Sequence, residues 1–494
     1  MVAKVAERYV GESPCLYRFF SFRDPNIFVG IFFWSGIISE PPLIRFASQT
    51  ESKRRGRTYP LFLHSARMQG GLIRPASCIL QECGGAHYMI TFPKDFFWGA
   101  ATSAHQVEGN NVNCDWWEWE KRVGLKELSG WACRHYQLYK EDFDLAKSLN
   151  HNAHRLSIEW SRIEPEEGKF SSPELAHYRD VVLSLKERNI EPIVTLHHFT
   201  NPLWFAKLGG WQDKKAPEYF LRYVEKIVAT LSDKVRFWVT INEPLVYVYF
   251  SYLFGSWPPQ EKSLSKARCV RNNLEISHIK AYRLIHNLYH RKSFSSVFVS
   301  IAHNMQAFMP YDFSLKNKFA ACLKDRFFNF EIIERLIRHN SLDFIGVNYY
   351  TRGLVDAKSW HPKGLFMDRG RPDKQPLKKN SLGWDIYPQG LHNLLLRLKK
   401  YNLPLFILEN GICTEDDNQR WDYILQHLKN IHRAMGEGVG ILGYIYWSLI
   451  DNFEWDKGFA PRFGLIDIDY RNYKRTIRES ARKFAEVCKT GIFN

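Results

Sequence analysis

Two glutamates of this chain lie in apolar runs of the same kind, and such a pair can cleave a glycosidic bond. Glu243 lies at the end of Val235–Pro244, which is apolar at first and then turns abruptly polar before a proline. Glu409 lies in the similar run Pro404–Ile412. The carboxyl end of a buried parallel strand is where a (β/α)8 barrel carries its chemistry. One such glutamate is most often an ordinary loop residue, whereas two in matched settings indicate a shared site.

From Met89 onward, short apolar runs alternate with amphipathic helical stretches, which is the pattern of repeated strand–helix units. The runs that we interpret as strands are Phe97–Ala101, Ala153–Trp160, Glu191–Phe199, Val235–Pro244, Ser296–Asn304, Leu342–Thr351, Pro404–Ile412 and Ile441–Asn452. This order predicts an α/β fold: a single (β/α)8 TIM barrel over residues 89–494, with the active site at the C-terminal ends of the strands.

Polar and aromatic residues gather at the carboxyl end of nearly every predicted strand. They are Gln106, Arg155, His197, His198, Asn242, Glu243, Asn304, Asn348 to Tyr350, Glu409, and the segment from Trp447 to Trp455. A barrel that used this face for stability alone would not need so many. The pattern therefore predicts a functional mouth. Taken singly, His303 and Asn304 are weak candidates, and His197 is a weaker candidate for ligand contact than His198.

Composition excludes several classes of protein. The chain has 494 residues, of which 45% are apolar and 15% aromatic, so it can bury a large core. Its formal charge of +16 is spread along the chain, and no nucleic-acid-binding motif accompanies it. The apolar run Ile27–Ile38 is shorter than the roughly 20 residues that a membrane span needs. We therefore expect neither a nucleic-acid nor a membrane partner.

The nine cysteines are an odd number and form no CxxC pair or Cys/His ligand spacing. Neither a zinc site nor a disulfide framework is predicted, and a reduced, cytoplasmic protein is the simplest interpretation. No metal or organic cofactor is expected.

Residues 1–88 differ from the rest, because no helical or alternating period persists there. Met89 looks like a natural beginning, and Gly84-Gly85 upstream is what a ribosome-binding sequence would encode if it were translated. The expectation is that residues 1–88 are a translated leader or a disordered extension, and that the working domain covers residues 89–494.

At these motifs the chain resembles glycoside hydrolase family 1, the β-glucosidase and β-galactosidase family. The matching stretches are FPKDFFWGAATSAHQVEG from Phe92, TINEP from Thr240, GVNYYT from Gly346, ILENG from Ile407 and WSLIDNFEW from Trp447. The resemblance implies a retaining double displacement in which Glu409 is the nucleophile and Glu243 the acid/base. Arg155 and Tyr350 match the residues that keep the nucleophile ionised in the family.

The resemblance also implies a sugar site and needs no cofactor. The matching hydroxyl-binding residues are Gln106, His198, Asn242 and Glu454, and the matching aromatic wall consists of Trp447 and Trp455; Tyr350 also belongs to the substrate-binding set. Asn348 and Phe463 are supporting residues, and Trp384 is a candidate residue of the leaving-group subsite. The irregular segment 356–381 is expected to overhang the mouth.

One departure from the family pattern is Phe199, which stands where many members carry tryptophan after the second histidine. Another position distinguishes substrates. Relatives that act on 6-phosphorylated sugars tend to carry a small hydroxyl residue where this chain has Glu454, and a carboxylate would repel a phosphate. An unphosphorylated β-glycoside or oligosaccharide is therefore the expected small-molecule partner.

Three alternatives stay open from the residues alone: a transglycosidase, a 6-phospho-β-glycosidase and a non-catalytic sugar-binding barrel. The non-catalytic barrel is disfavoured because both glutamates are present. The sequence does not distinguish glucose from galactose, fucose or mannose, and it gives neither the leaving group nor the oligomeric state.

Overall fold

Eight parallel strands close into one barrel, which confirms the predicted (β/α)8 fold. The structure is a computed structural model that describes residues 89–294, 296–357 and 376–493. The barrel strands are β1 Phe97–Ala101, β2 Ala153–Ser157, β3 Glu191–Thr195, β4 Phe237–Asn242, β5 Phe298–Pro310, β6 Ile345–Val355, β7 Leu405–Asn410 and β8 Ile441–Trp447. Each strand pairs in parallel with its neighbours in chain order, and β8 pairs with β1 to complete the ring.

Helices alternate with the strands and cover the barrel. Within the described residues the longer ones are Asp115–Val123, His135–Ser148, Ser172–Glu187, Ala216–Leu231, Leu264–Arg291, Leu315–Asp325, Glu331–Arg338, Pro388–Leu398, Asp417–Gly436 and Glu479–Thr490. The short helical segments are Ala104–Val107, Trp160–Ile163, Leu203–Lys207, Gly210–Gln212, Pro244–Val248, Tyr249–Leu253, Arg326–Phe330, Lys399–Tyr401 and Trp455–Lys457.

Capping residues set where several of these helices begin. The Ser171 hydroxyl accepts the backbone N–H of Glu174, and a proline stands in the first turn of the helix that follows. The Asp416 carboxylate accepts two backbone N–H groups at the start of Asp417–Gly436. These caps satisfy donors that the first helical turn leaves without partners.

Two layers of apolar side chains hold the barrel together. The inner layer fills the barrel, with small residues beside large ones: Ala101, Ala153, Ile193, Phe237, Val239, Ala302, Phe344, Phe406, Leu408 and Ile445 are all buried in one cluster. A larger cluster lies between the strands and the surrounding helices. The barrel is therefore a packed core, and its mouth is the place left for a ligand.

Several strands end earlier than the sequence predicts. The predicted run Ala153–Trp160 stops being a strand at Ser157, and Ile441–Asn452 stops at Trp447. The polar and aromatic residues beyond these ends form the loops of the mouth instead of ladder pairs. In contrast, β5 and β6 are longer than predicted, because they stay paired as far as Pro310 and Val355.

Two small antiparallel pairs lie outside the barrel. Ile90–Thr91 pairs with Ile492–Phe493, and Ile466–Asp469 pairs with Lys474–Ile477. The first pair ties the two ends of the described chain together at one place. Among the described helices, none is long and apolar enough to cross a membrane.

Candidate active site

The backbone around Glu243 is unusual. Strand β4 ends at Asn242, and Glu243 adopts the left-handed conformation, with φ of 43° and ψ of 58°. Its N–H donates to the Ala302 carbonyl at 2.7 Å, and Pro244 then begins a helix. A non-glycine residue in this region costs on the order of 1 kcal/mol or more and persists only where its surroundings fix it. Such outliers concentrate at functional sites.

Two amides hold one oxygen of the Glu243 carboxyl group. Nδ2 of Asn304 and Nδ2 of Asn348 each donate to Oε1 at 2.9 Å. Burial raises the pKa of Glu243 to about 7, the negative charge of Glu409 adds to this, and the two amides act in the opposite direction. At neutral pH this carboxyl group is poised to hold and release a proton.

Glu409 has the opposite surroundings. It is buried near the end of β7, forms an ion pair with Nη1 of Arg155, and accepts the Tyr350 hydroxyl at 2.6 Å. The pairing register of β7 shifts on both sides near this residue, and such irregularities redirect a side chain. A cation and a hydroxyl donor thus hold the two oxygens of this carboxyl group separately.

Gly411, two residues further on, shows why this motif has glycine. A Cβ there would stand 1.9 Å from the Trp447 carbonyl oxygen, a distance that no side chain tolerates. The close approach of the two backbones brings the end of β7 against the end of β8, so that Glu409 and Trp447 share the mouth.

Arg155 links the two carboxyl groups. Besides its ion pair with Glu409, its Nε donates to the Thr195 hydroxyl at 3.0 Å, and its Nη2 donates to Oδ1 of Asn242 at 2.7 Å. The same Asn242 oxygen accepts Nδ2 of Asn348 at 3.2 Å. One chain of hydrogen bonds therefore runs from Glu409 to Glu243 across four strands.

Gln106 and Glu454 lie side by side at another edge of the mouth. Nε2 of Gln106 donates to the Phe453 carbonyl at 2.8 Å, to Oδ1 of Asn452 at 3.0 Å and to Oε2 of Glu454 at 3.2 Å. Burial is the main cause that raises the pKa of Glu454 to about 8, and the charges of Glu409 and Asp456 also raise it. The pair offers both a donor and an acceptor to a hydroxyl group.

Aromatic rings form one wall. The His198 ring stacks at 5.9 Å on Trp447 and at 6.0 Å on Trp455, and its Nε2 accepts Nδ2 of Asn242 at 3.1 Å. The Trp455 ring also stacks at 5.8 Å on His105, which fixes it from behind. Rigid, flat rings beside hydrogen-bonding groups suit the apolar face of a sugar.

At the rim, the structure brings Phe463 and Trp384 together with Tyr350. The Phe463 ring lies 6.3 Å from Tyr350 and 6.2 Å from Trp384, and Tyr350 lies 5.9 Å from Trp384. Phe463 is buried, whereas Trp384 is 37% exposed. Most of the segment 356–381, which was expected to overhang the mouth, lies outside the described residues.

Asn304 is the residue whose importance the sequence understates. It is a weak candidate in the sequence, yet it donates directly to Glu243. A signal was present: Asn304 stands two residues after Ala302, which faces the barrel interior, so both point inward from β5. In contrast, His197 bonds to Asn201 at 3.1 Å in the buried scaffold.

Within the ranges that the structure describes, no group of His, Cys, Asp or Glu side chains is arranged to hold a metal ion.

A closed parallel barrel whose mouth carries paired carboxyl groups, amides and aromatic rings defines a barrel enzyme that acts on a polyhydroxylated substrate. The chain matches the profile of Glycosyl hydrolase family 1 over residues 88–337 and 322–492. It belongs to this family and is a glycoside hydrolase.

Similar proteins agree with this assignment. The chain is 39% identical to the β-glycosidase from Pyrococcus horikoshii, with a TM-score of 0.75 over 82% of this chain and 96% of that one. It is 28% identical to the β-glucosidase from Thermotoga maritima in complex with glucoimidazole, with a TM-score of 0.75 over 81% and 99% of the two chains. It is 32% identical over 463 residues to the 6-phospho-β-glucosidase of Bacillus subtilis, covering 81% of this chain and 98% of that protein.

Proposed function

We propose that this protein is a retaining β-glycosidase that removes a terminal, unphosphorylated, glucose-like residue from a β-glycoside. The observation that carries the proposal is the contrast between the two carboxyl groups. Glu409 is paired with Arg155 and Tyr350, whereas burial and the charge of Glu409 raise the pKa of Glu243. Two carboxyl groups in one site with such different surroundings suit the two roles, nucleophile and acid/base, of a double displacement.

In the first step, a carboxylate oxygen of Glu409 attacks the anomeric carbon. The bond from that carbon to the leaving-group oxygen breaks, and Glu243 gives its proton to this oxygen. Arg155 and Tyr350 hold the two oxygens of Glu409 before the attack.

In the second step, Glu243 acts as a base. Once Glu409 is esterified, its negative charge is gone, so one cause of the raised pKa of Glu243 disappears. The Glu243 carboxylate then takes a proton from water, the water oxygen bonds to the anomeric carbon, and Glu409 leaves as a carboxylate. Two inversions give net retention.

Recognition of the sugar is assigned to the groups around the pair. Gln106 and Glu454 offer adjacent hydrogen-bonding atoms, and Trp447 and Trp455 offer the stacking wall. Asn242 adjoins both Arg155 and His198, where it would meet the 2-hydroxyl group, whose contact strengthens in the transition state.

The stereochemical course of the reaction tests this proposal. When an aryl β-glucoside is hydrolysed and followed by proton NMR, we expect the β-anomer of glucose to appear first and the α-anomer only later through mutarotation. First release of the α-anomer would mean inversion, and it would overturn the double displacement.

A 6-phospho-β-glycosidase is the second candidate, because a relative with that name is 32% identical to this chain. The surroundings of Glu454 disfavour it. This carboxyl group is near Glu409 and Asp456, whose charges raise its pKa, so a phosphate there would meet further negative charge. Like-charge juxtaposition costs several kcal/mol, and we expect kcat/KM for 4-nitrophenyl β-glucoside to exceed that for its 6-phosphate by about 100-fold.

The control for this comparison is Glu454→Ser, which removes the carboxyl group and leaves a hydroxyl group. The ratio of the two kcat/KM values should move toward the phosphorylated substrate in this variant. Faster turnover of the 6-phosphate by the wild-type enzyme would replace the proposed substrate class.

We also propose that the catalytic domain is residues 89–494 and that the protein is reduced and cytoplasmic. The family profile begins at residue 88, and Cys114, Cys133, Cys413 and Cys488 are buried and form no disulfide bond. Intact-mass measurement on protein from the native host tests whether residues 1–88 are a leader, because a mature chain that starts at Met1 would contradict that alternative.

A further inference from the structure

Asn304 reaches Glu243 from a different strand than Asn348. It lies on β5, two residues after Ala302, whose carbonyl accepts the backbone N–H of Glu243. Asn348 lies on β6 and donates to the same carboxyl oxygen, Oε1. The backbone and one oxygen of Glu243 are therefore fixed by neighbouring strands.

The direction of these hydrogen bonds follows from Arg155, which can only donate. Its Nη2 donates to Oδ1 of Asn242. That oxygen is consequently an acceptor, so the Asn348 group facing it is the NH2. The same NH2 donates its other hydrogen to Oε1 of Glu243. The orientation of the Asn348 amide is thus fixed by the Arg155 cation through one intervening residue, Asn242.

Oε1 of Glu243 must then be an acceptor in both protonation states. Asn304 faces this acceptor, so it also presents its NH2. A carboxyl oxygen that accepts two N–H groups has no remaining place for its own hydrogen. Among the described residues, none makes a hydrogen bond to Oε2.

We propose that Asn304 and Asn348 clamp Oε1 of Glu243 and thereby assign the transferable proton to Oε2, which makes Asn304 a positioning residue for the acid step. The inference rests on the proposed function, in which Glu243 is the acid. In that step the Oε2–H bond breaks, the leaving-group oxygen gains the proton, and the new carboxylate is held by the two amides.

The buried side of the clamp supports this reading. Oδ1 of Asn304 and Oδ1 of Asn348 are buried and have no hydrogen-bond partner within the described part of the chain. A buried polar atom without a partner costs about 1 to 3 kcal/mol. If either amide were rotated by 180°, its oxygen would face Oε1 of Glu243. The cost would then fall on that contact, because two acceptors would meet there. The orphaned oxygens are the consequence of aiming both NH2 groups at Oε1.

The clamp also affects the pKa of Glu243, and so the pH at which this residue releases its proton. Burial and Glu409 raise the pKa of Glu243, whereas the amides and Arg155 lower it. Tyr350 and Glu454 also interact electrostatically with this carboxyl group. Loss of one amide donor removes a stabilising contact from the carboxylate, so the proton is held to higher pH.

The test uses Asn304→Leu, which keeps the size of the side chain and removes the donor. We expect the basic limb of the pH profile of kcat/KM to move upward by about 0.5 to 1 pH unit. We expect kcat/KM for phenyl β-glucoside, whose leaving group needs a proton, to fall by about tenfold. The value of kcat/KM for 2,4-dinitrophenyl β-glucoside should change far less, because its leaving group needs no proton.

Asn329→Ala is the matched control. Asn329 is buried and fixes the same strand through the backbone of Gln306, at 2.7 and 3.1 Å, without touching Glu243. This variant should affect the two substrates equally and leave the basic limb in place. If Asn304→Leu behaves in the same way, Asn304 is only structural and the inference is wrong. Asn304→Ala provides the same comparison if the leucine variant does not fold.

Glu243→Gln separates this inference from the proposed function. If Glu243→Gln hydrolyses both glucosides in the wild-type ratio, Glu243 is not the acid and the proposed function itself fails. If Glu243→Gln discriminates strongly between them and Asn304→Leu does not, only the role of the clamp is refuted.

Discussion

Glu409→Gln will lower kcat/KM for aryl β-glucosides by about 10⁴-fold or more, because it removes the group that forms the covalent intermediate. The loss should not depend on the leaving group, since no other side chain can replace the attack at the anomeric carbon. The geometry around Glu409 gives the reason: its two oxygens are held separately by Arg155 and Tyr350. Steady-state kinetics with several aryl glucosides measure the effect.

The matched control is Glu164→Gln. Glu164 is also buried and forms an ion pair with an arginine, Arg222, outside the mouth. Breaking a buried pair costs about 3–5 kcal/mol of stability, so both variants should melt at lower temperature than the wild type. Only Glu409→Gln should lose turnover while it is folded. Equal residual activity in the two folded variants would remove Glu409 from the mechanism.

Glu243→Gln should lose about 10²- to 10⁴-fold in kcat/KM with phenyl β-glucoside. With 2,4-dinitrophenyl β-glucoside the first step needs no acid, so the glycosyl-enzyme should form and then accumulate. Added azide, an anion that needs no general base, should raise kcat of Glu243→Gln with this substrate and yield the β-glycosyl azide. Product analysis and a burst of dinitrophenolate measure these expectations.

The pH profile gives a second readout for Glu243. Burial and the charge of Glu409 raise its pKa to about 7, so the proton is present below this value and lost above it. The basic limb of kcat/KM for phenyl β-glucoside should therefore lie near pH 7 in the wild type and be absent from Glu243→Gln. An unchanged basic limb in that variant would assign the titration to another group.

The sequence predicts the barrel well because each strand is a short apolar run closed by polar residues. It does not predict where the ladders stop. The apolar pattern continues to Trp160, but β2 ends at Ser157. Trp160 instead begins a short helix and packs in the apolar cluster between the strands and the helices. Continued pairing of β5 with β6 beyond the barrel depends on two distant segments and leaves no local signal.

The candidate site shows the same division. The glutamates stand out because two carboxyl groups follow apolar runs of the same kind. The left-handed backbone of Glu243 and the donation from Asn304 are tertiary properties, because both depend on the neighbouring strand β5. The distribution of donors between Oε1 and Oε2 of one carboxyl group cannot be obtained from spacing along a chain.

Trapping the covalent intermediate tests the central claim most directly. We would incubate the enzyme with 2-deoxy-2-fluoro-β-glucosyl fluoride, whose fluorine slows both steps and whose good leaving group restores the first, and then map the labelled peptide by mass spectrometry. A single fluoroglucosyl group on Glu409 is the predicted result. Label on another residue, or inactivation with no covalent adduct, would contradict the double displacement through this carboxylate.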